Sequence, residues 1–146
     1  MIKRFLGGEM KKAARFGLPM AGAMLFLGMA TSPAQAASYS ASCSTTGATG
    51  SAAISGWEWG QAGIPDVTLK VKDTLADGHH VRVRLYVVYA DETYYFPWRE
   101  NYDGNGATKT WDTYVSGPGN IFDAGVQVAR YEGNDQLNYC TQRINL

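Results

Sequence analysis

The sequence predicts an all-β protein: an antiparallel β-sandwich of about seven strands, preceded by a cleavable signal peptide. The sandwich is predicted because apolar and polar residues alternate over several short runs, and because Gly, Asn and Asp clusters separate these runs. No stretch with helical period extends beyond a turn or two. The leader is predicted from the order of basic, apolar and small residues at the N-terminus.

The N-terminal segment has the order of a secretory leader. Five Lys or Arg residues precede an apolar run at residues 16–30, and the small residues Ala34 and Ala36 form an A-x-A cleavage site. The apolar run is shorter than the roughly 20 residues that span a bilayer, so a membrane anchor that remains after cleavage is not expected. We therefore assign residues 1–36 to a signal peptide, 37–55 to a flexible lead-in rich in Ser, Ala and Gly, and 56–146 to a β-sandwich domain, and we expect a secreted, extracellular protein.

The charge of the chain separates at the predicted cleavage site. The whole sequence has 13 basic and 13 acidic residues, and removing the leader leaves 8 basic and 12 acidic ones. Because nucleic-acid-binding domains are usually strongly basic, this acidic balance argues against a nucleic-acid partner.

Cys43 and Cys140 are the two cysteines of the chain. In an oxidising compartment, a pair at opposite ends of a small domain most simply forms one disulfide. A metal site is the alternative, but neither cysteine belongs to a C-x-x-C motif or has a histidine close in sequence. We expect a disulfide, and neither a metal nor a cofactor.

The strand candidates follow one another between turn signals. Pairing of residues 67–72 with 80–89 through a loop of odd length would keep the apolar residues of both strands on one face. Pro97 lies inside the next candidate, which indicates an edge strand. The candidates are residues 52–59, 67–72, 80–89, 93–98, 107–115, 123–131 and 136–144.

This strand order would create a cationic outer face. A basic patch with aromatic neighbours in an acidic protein is suited to an anionic extracellular polymer or an acidic partner protein. The alternative is an ordinary solvated strand face, since alternation alone places polar residues outward. The face would consist of Lys70, Lys72, Arg82 and Arg84, with Tyr86, Val88 and Tyr95 beside them.

The aromatic residues provide a second candidate site. Exposed rings bind sugars by covering the apolar face of a pyranose, whereas buried rings fill the core of a small sandwich. We expect Trp98 and one of Trp57 or Trp59 to lie in the core, and Trp111 to be a candidate ligand-binding ring. The predicted ligand-binding residues are therefore Lys70, Lys72, Arg82, Arg84, Tyr86, Tyr95 and Trp111.

No catalytic motif is found in the sequence. His79 and His80 lie at a turn, where polar residues are common, and there is no G-x-S-x-G motif. A pair of carboxylates for glycoside hydrolysis could come only from residues distributed along the chain. The sequence predicts no catalytic residues, although such a pair could be drawn from Glu58, Glu100, Asp103 and Asp112.

The long basic leader, the Cys-Ser-Thr-Thr-Gly opening at Cys43, the strand that follows Asp77-Gly78, and the final Tyr139-Cys140 together resemble small secreted actinobacterial β-sandwich proteins of unknown function. More remotely, the chain resembles secreted β-sandwich inhibitors of extracellular hydrolases from the same bacteria. It departs from that family's disulfide pattern, and it has no Trp-Arg-Tyr triplet, because Trp98-Arg99 is followed by Glu100. Neither resemblance assigns a role to a residue.

These observations favour a secreted, non-catalytic protein that binds an extracellular glycan or protein at the cell surface or in the medium. The alternative is an inhibitor or antagonist of a secreted enzyme, acting through a loop at residues 98–107 or 116–120. A small hydrolase is the third hypothesis.

Overall fold

The computed structural model describes residues 36–145, so the predicted signal peptide, apart from Ala36, lies outside the described residues. Within this range there is no helix, and hence none long and apolar enough to cross a membrane. The strands are β1 (Ser38–Thr45), β2 (Ala48–Ser55), β3 (Gly63–Asp73), β4 (His80–Val88), β5 (Thr93–Tyr95), β6 (Arg99–Asn101), β7 (Thr108–Ser116), β8 (Asp123–Glu132) and β9 (Asp135–Arg143).

The strands form two antiparallel sheets. The first sheet has the order β1-β2-β3-β7, and the second has the order β5-β4-β8-β9, with β6 also paired to β4. The inner faces of both sheets contribute to one hydrophobic cluster. The prediction of an all-β antiparallel sandwich is therefore confirmed, with nine strands in place of about seven.

The core follows directly from the period-two pattern of the strands. Val81, Val83, Leu85 and Val87 point inward from β4, and each is at most 2% exposed. Because alternate side chains of a strand point to opposite faces, the intervening residues of β4 form part of the outer face of the second sheet. Trp57, at 1% exposure, completes the core as one of the two tryptophans expected there.

Residues 37–55 were expected to be a flexible lead-in, and this expectation is wrong, because β1 and β2 form a paired hairpin within the first sheet. The inward residues of β2 are small because the second sheet passes very close to them. A Cβ atom added to Gly50 would lie 2.7 Å from Cγ2 of Val128 and 2.7 Å from the carbonyl oxygen of Lys70. The small side chains of residues 37–55 therefore reflect close packing of the two sheets. They do not indicate that this segment lies outside the folded domain.

The predicted pairing of residues 67–72 with 80–89 is also wrong. Strand β3 pairs with β2 and β7, whereas β4 pairs with β8, β5 and β6. The segment 74–79 crosses from one sheet to the other, so the apolar residues of β3 and β4 face each other across the core. Because the two strands lie in different sheets, both bury their apolar residues, and no hairpin loop of odd length is needed.

A disulfide joins Cys43 in β1 to Cys140 in β9, as predicted. The two Cα atoms are 6.1 Å apart and the two residues are 97 positions apart in sequence. Since β1 and β9 are edge strands of different sheets, the bond links the two sheets along one side of the sandwich.

We predict that replacing both cysteines, Cys43→Ala with Cys140→Ala, lowers the free energy of unfolding by about 4–5 kcal/mol, because the cross-link restricts the unfolded chain over a long loop. Urea denaturation of the oxidised wild type and of the double variant measures this loss. Ser42→Ala, on the outer face of the same strand, is the control and should change stability little. A loss below about 1 kcal/mol would contradict the prediction.

We further predict that Gly50→Ala destabilises the protein by about 1–3 kcal/mol, because the added methyl group overlaps both Val128 and the backbone of β3. Ala53→Val, which adds atoms to the outer face of the same strand, should stay within about 0.5 kcal/mol of the wild type. Thermal and urea unfolding of the two variants measure the difference. Equal stability of Gly50→Ala and the wild type would show that the sheets are not in close contact there.

Candidate ligand-binding face

Most of the predicted ligand-binding residues lie together on the outer face of the second sheet. Residues from β4 meet residues from the β5–β6 segment on one side and from β8 on the other, through the cross-strand pairs Tyr86–Tyr95 and His80–Tyr131. We call this surface the aromatic–arginine face, which consists of His80, Arg82, Arg84, Tyr86, Tyr95, Trp98, Tyr102 and Tyr131.

The guanidinium group of Arg84 lies against two aromatic rings. Its Cζ atom is 4.5 Å from the ring centroid of Tyr95 and 4.2 Å from that of Trp98, both within cation–π distance. Its Nε donates a hydrogen bond of 2.7 Å to Oε1 of Gln127, and Nε2 of Gln127 donates one of 3.0 Å to Thr141. These contacts fix the plane of the guanidinium group.

Within residues 36–145, Arg84 forms no ion pair with a carboxylate. Its two Nη amines also have no hydrogen-bond partner in that range, and they are not buried, so they reach solvent. Burial lowers the pKa of Arg84, with Tyr131 and Tyr95 acting in the opposite direction, but a guanidinium group remains protonated at physiological pH. Arg84 therefore presents a positive charge that the described part of the protein does not neutralise.

Arg82, in contrast, is buried and has a carboxylate partner. Its Nε lies 3.1 Å from Oε1 of Glu100 and donates to Nε2 of His80 at 3.0 Å, while Nη2 donates to the carbonyl oxygen of Gly133 at 3.0 Å. The guanidinium also lies 3.9 Å from the ring centroid of Tyr131. Since buried charges are costly unless they are paired, these partners explain how β4 can hold a second arginine at 9% exposure.

His80 is packed between two tyrosines. Its ring centroid is 4.1 Å from that of Tyr102 and 5.9 Å from that of Tyr131, in stacked geometry. Burial, followed by the charge of Arg82, lowers the pKa of His80, and Glu100 opposes this shift. A neutral imidazole leaves Nε2 free to accept the hydrogen bond from Arg82.

Tyr86 covers the gap that a glycine leaves in β8. It pairs with Gly125, and a Cβ atom added to that glycine would lie 2.2 Å from Cζ of Tyr86, so the ring lies directly over the glycine backbone. Burial raises the pKa of the Tyr86 hydroxyl, and the nearby charges of Asp123 and Tyr95 add to this effect. Tyr86 therefore lies flat against the sheet, and its ring does not protrude towards a ligand.

Three tyrosines leave large parts of their rings open on this side of the sheet. Tyr95 is 45% exposed and Tyr102 is 60% exposed, and Tyr139 on β9, whose partner in β8 is Ala129, is 56% exposed. The face thus combines partly open aromatic rings with one available cation, which is the chemistry of a site for a polar ligand with apolar faces.

The structure separates the seven predicted ligand-binding residues into three groups. Arg82, Arg84, Tyr86 and Tyr95 lie together on the aromatic–arginine face. Lys70 and Lys72 do not belong to it, because β3 lies in the first sheet and both side chains point to the outer face of that sheet. Trp111 pairs with Leu69 and is partly buried against the core, so it is not an open ring.

Trp98, which was expected in the core, lies on the outer face. Tyr86 pairs with Tyr95, but Val83 pairs with Arg99, so the segment between β5 and β6 contains one extra residue. Pro97 lies in this bulge, where it needs no ladder hydrogen bond. Phe96, which keeps the register of β5, packs against the core, and the bulge after it reverses the alternation so that Trp98 points outward to Arg84.

The four carboxylates considered for hydrolysis lie in separate environments. Glu100 pairs with Arg82, Asp103 pairs with Lys109 at 3.1 Å, and Asp112 accepts a hydrogen bond from Thr68 at 2.7 Å. Glu58 lies in the loop between β2 and β3. Glu100 does lie close to His80, but the guanidinium of Arg82 contacts both groups. Within residues 36–145, no group of three or more His, Cys, Asp or Glu side chains is arranged to hold a metal ion.

We predict that stability decreases as the pH falls below about 6.5, the ordinary pKa of histidine. The unfolded chain binds a proton at His80 with that pKa, whereas the folded protein, with its lowered pKa, binds it less readily. The stability is therefore complete above the ordinary pKa and is lost progressively towards the lowered one. Urea denaturation between about pH 7.5 and about pH 5 measures this slope.

The groups around His80 are Arg82, Glu100, His79 and the rings of Tyr102 and Tyr131, so the variants must isolate the imidazole. His80→Gln, which keeps an acceptor for Arg82, should remove most of the pH dependence. His79→Gln is the matched control and should keep it. An unchanged slope in His80→Gln would contradict the assignment.

Comparisons with protein families, with curated proteins and with solved structures find no match to this chain.

Proposed function

We propose that this protein is a secreted, non-catalytic binding protein that uses the aromatic–arginine face to hold an anionic glycan. The observation that carries the proposal is the guanidinium of Arg84, which lies against Tyr95 and Trp98 and has no carboxylate partner in the described part of the chain.

Secretion is supported by two features of different kinds. The N-terminal sequence has the order of a signal peptide, with basic, apolar and small residues in turn. The disulfide between Cys43 and Cys140 fits an oxidising, extracellular environment.

An anionic sugar suits the available groups of the face. A guanidinium binds a carboxylate through two parallel hydrogen bonds, and neither Nη amine of Arg84 is fully buried or hydrogen-bonded within the described residues. The plane of the group is already fixed by Gln127 and the two rings, so little additional ordering is required on binding. Arg84 is therefore the proposed contact for the acidic group of the ligand.

The neighbouring tyrosines suit the apolar faces of pyranose rings. Tyr95 and Tyr102 are partly open and lie on either side of the two arginines, next to β4. Tyr139 lies on the far side of β8 and could contact a further sugar of the same chain. Aromatic rings distributed over a sheet face favour an extended ligand over a compact one.

The inhibitor hypothesis receives no comparable support. Of its two candidate segments, residues 98–107 contain β6 and are held by Asn101, whose side-chain amide donates to the carbonyl oxygens of Val71 and Ala107. Residues 116–120 follow the other end of β7, so the two segments lie at opposite ends of the sandwich. An inhibitor would therefore have to act through one of these segments alone.

We predict that the protein binds oligogalacturonate more tightly than a neutral galactan oligosaccharide of the same length, with isothermal calorimetry as the measurement. Tyr95→Ala and Arg84→Met should each weaken oligogalacturonate binding by about tenfold, which corresponds to the loss of one ring contact or one charged contact. The preference for the acidic sugar should disappear in Arg84→Met.

Matched controls are available on the first sheet. Tyr114, at 67% exposure, and Lys70 lie on its outer face, so Tyr114→Ala and Lys70→Met should leave binding unchanged. The proposal fails if neither oligosaccharide binds, or if the control variants weaken binding as much as the variants of the face.

A further inference from the structure

We propose a second ligand site, a cleft at one end of the sandwich that takes an alkylammonium group. The cleft has a volume of about 480 Å³ and lies between the β4–β5 loop and the β7–β8 loop. We call it the loop cleft. Its walls come from Tyr89, Asp91 and Glu92 on one side and from Pro118, Asn120 and Phe122 on the other.

The cleft is separate from the aromatic–arginine face. Both of its loops lie at the end of the sandwich where β4 and β7 finish and β8 begins, as the pairs Val88–Asp123 and Gly63–Ser116 show. This inference therefore goes beyond the proposed glycan site, and neither depends on the other.

Specific contacts hold the walls of the cleft in place. The backbone amide of Tyr89 donates to the carbonyl oxygen of Glu92 at 2.8 Å, which closes the first loop. The ring of Tyr89 packs on the second loop, because a Cβ atom added to Gly117 would lie 2.3 Å from its hydroxyl oxygen. The amide of Phe122 donates to the carbonyl oxygen of Val88 at 2.8 Å. The volume of this open cleft lies within the range of small-ligand sites, and hydrogen bonds hold both of its walls.

The aromatic wall continues beyond the cleft. Phe122 meets Trp59 edge-to-face with ring centroids 5.2 Å apart, and Trp59 is 71% exposed. Phe122 and Trp59 also line a neighbouring cleft of about 310 Å³. The open side of the loop cleft thus leads onto further aromatic surface, which favours a ligand with an apolar portion attached to its polar group.

The charge of the loop cleft selects a cation. Asp91 and Glu92 form part of its wall, and no basic residue lines it. Neither carboxylate takes part in an ion pair within residues 36–145. The rings of Tyr89 and Phe122 line the same space, and aromatic faces attract ammonium groups. Carboxylates and rings therefore act together on a positive ligand, and they would repel an anionic one.

An alkylammonium group can come from a free amine or from a lysine side chain of a partner protein. Both have a positive head on an apolar stem, which matches carboxylates beside aromatic walls. The experiment uses one probe for each source, n-butylammonium and a lysine residue blocked at both ends, with 1-butanol as the neutral counterpart of similar size.

Amide-resolved NMR titration of the purified, disulfide-bonded protein tests the proposal. We expect both cationic probes to shift the amides of residues 89–92 and 118–122 in a saturable manner, whereas 1-butanol does so more weakly. Tighter binding of the blocked lysine would identify a protein-borne ligand, and tighter binding of n-butylammonium would identify a free amine. Asp91→Asn combined with Glu92→Gln should weaken cation binding by about fivefold or more.

The charge variants change exposed loop residues and should fold normally, which the unchanged remainder of the spectrum verifies. Glu58→Gln is the matched control, because Glu58 is an exposed carboxylate that lines a different cleft. The proposal is overturned if the cations bind no better than 1-butanol, if the double variant keeps the affinity of the wild type, or if Glu58→Gln weakens binding equally.

Discussion

The placement of two guanidinium groups on one side of β4 is the constraint on which the outer face of the second sheet depends. Because the inner side of β4 is filled by Val81, Val83 and Leu85, both Arg82 and Arg84 must point outward, beneath the β5–β6 segment. A guanidinium that loses water needs partners for its charge and for its hydrogen-bond donors. The segment that covers β4 and the strand beside it supply those partners.

The two arginines differ in the partners of their guanidinium charges. Arg82 is neutralised by Glu100 and held by His80, so it stabilises the face from within. Arg84 has rings and an amide as neighbours, but no acid among the described residues, so its charge is available. Arg82 therefore holds the surface together, whereas Arg84 is the proposed ligand contact.

The remainder of the sandwich provides a rigid support for this surface. Small residues such as Gly50 allow the two sheets to approach closely, and the disulfide from Cys43 to Cys140 joins their edges on the side away from β5 and β6. The loop cleft uses different elements, at the end of the strands rather than on their face. The proposed anion site and the proposed cation site would therefore occupy different parts of one small domain.

Periodicity in the sequence is sufficient to predict the all-β sandwich, most strand positions and the disulfide, because these depend on local alternation and on cysteine number. Periodicity was insufficient to predict the strand order. Two strands with alternating apolar residues can bury them either as neighbours in one sheet or as members of two sheets that face each other across the core. For that reason Lys70 was placed beside Arg84, although the two lie in different sheets. Trp98 was misplaced because the bulge at Pro97 shifts the alternation by one residue, and β1 was missed because it has few large apolar residues to mark an inward face.

The central claim is that Arg84, with the rings beside it, recognises an anionic glycan. The most direct measurement is an NMR titration with oligogalacturonate that follows the Nε–H signal of Arg84 and the indole N–H signal of Trp98. The account predicts that these two signals shift most and saturate together, while amides near Lys70 and Tyr114 on the first sheet do not move. The largest shifts at Lys70, Lys72 and Tyr114, with those of Arg84 and Trp98 unchanged, would contradict it.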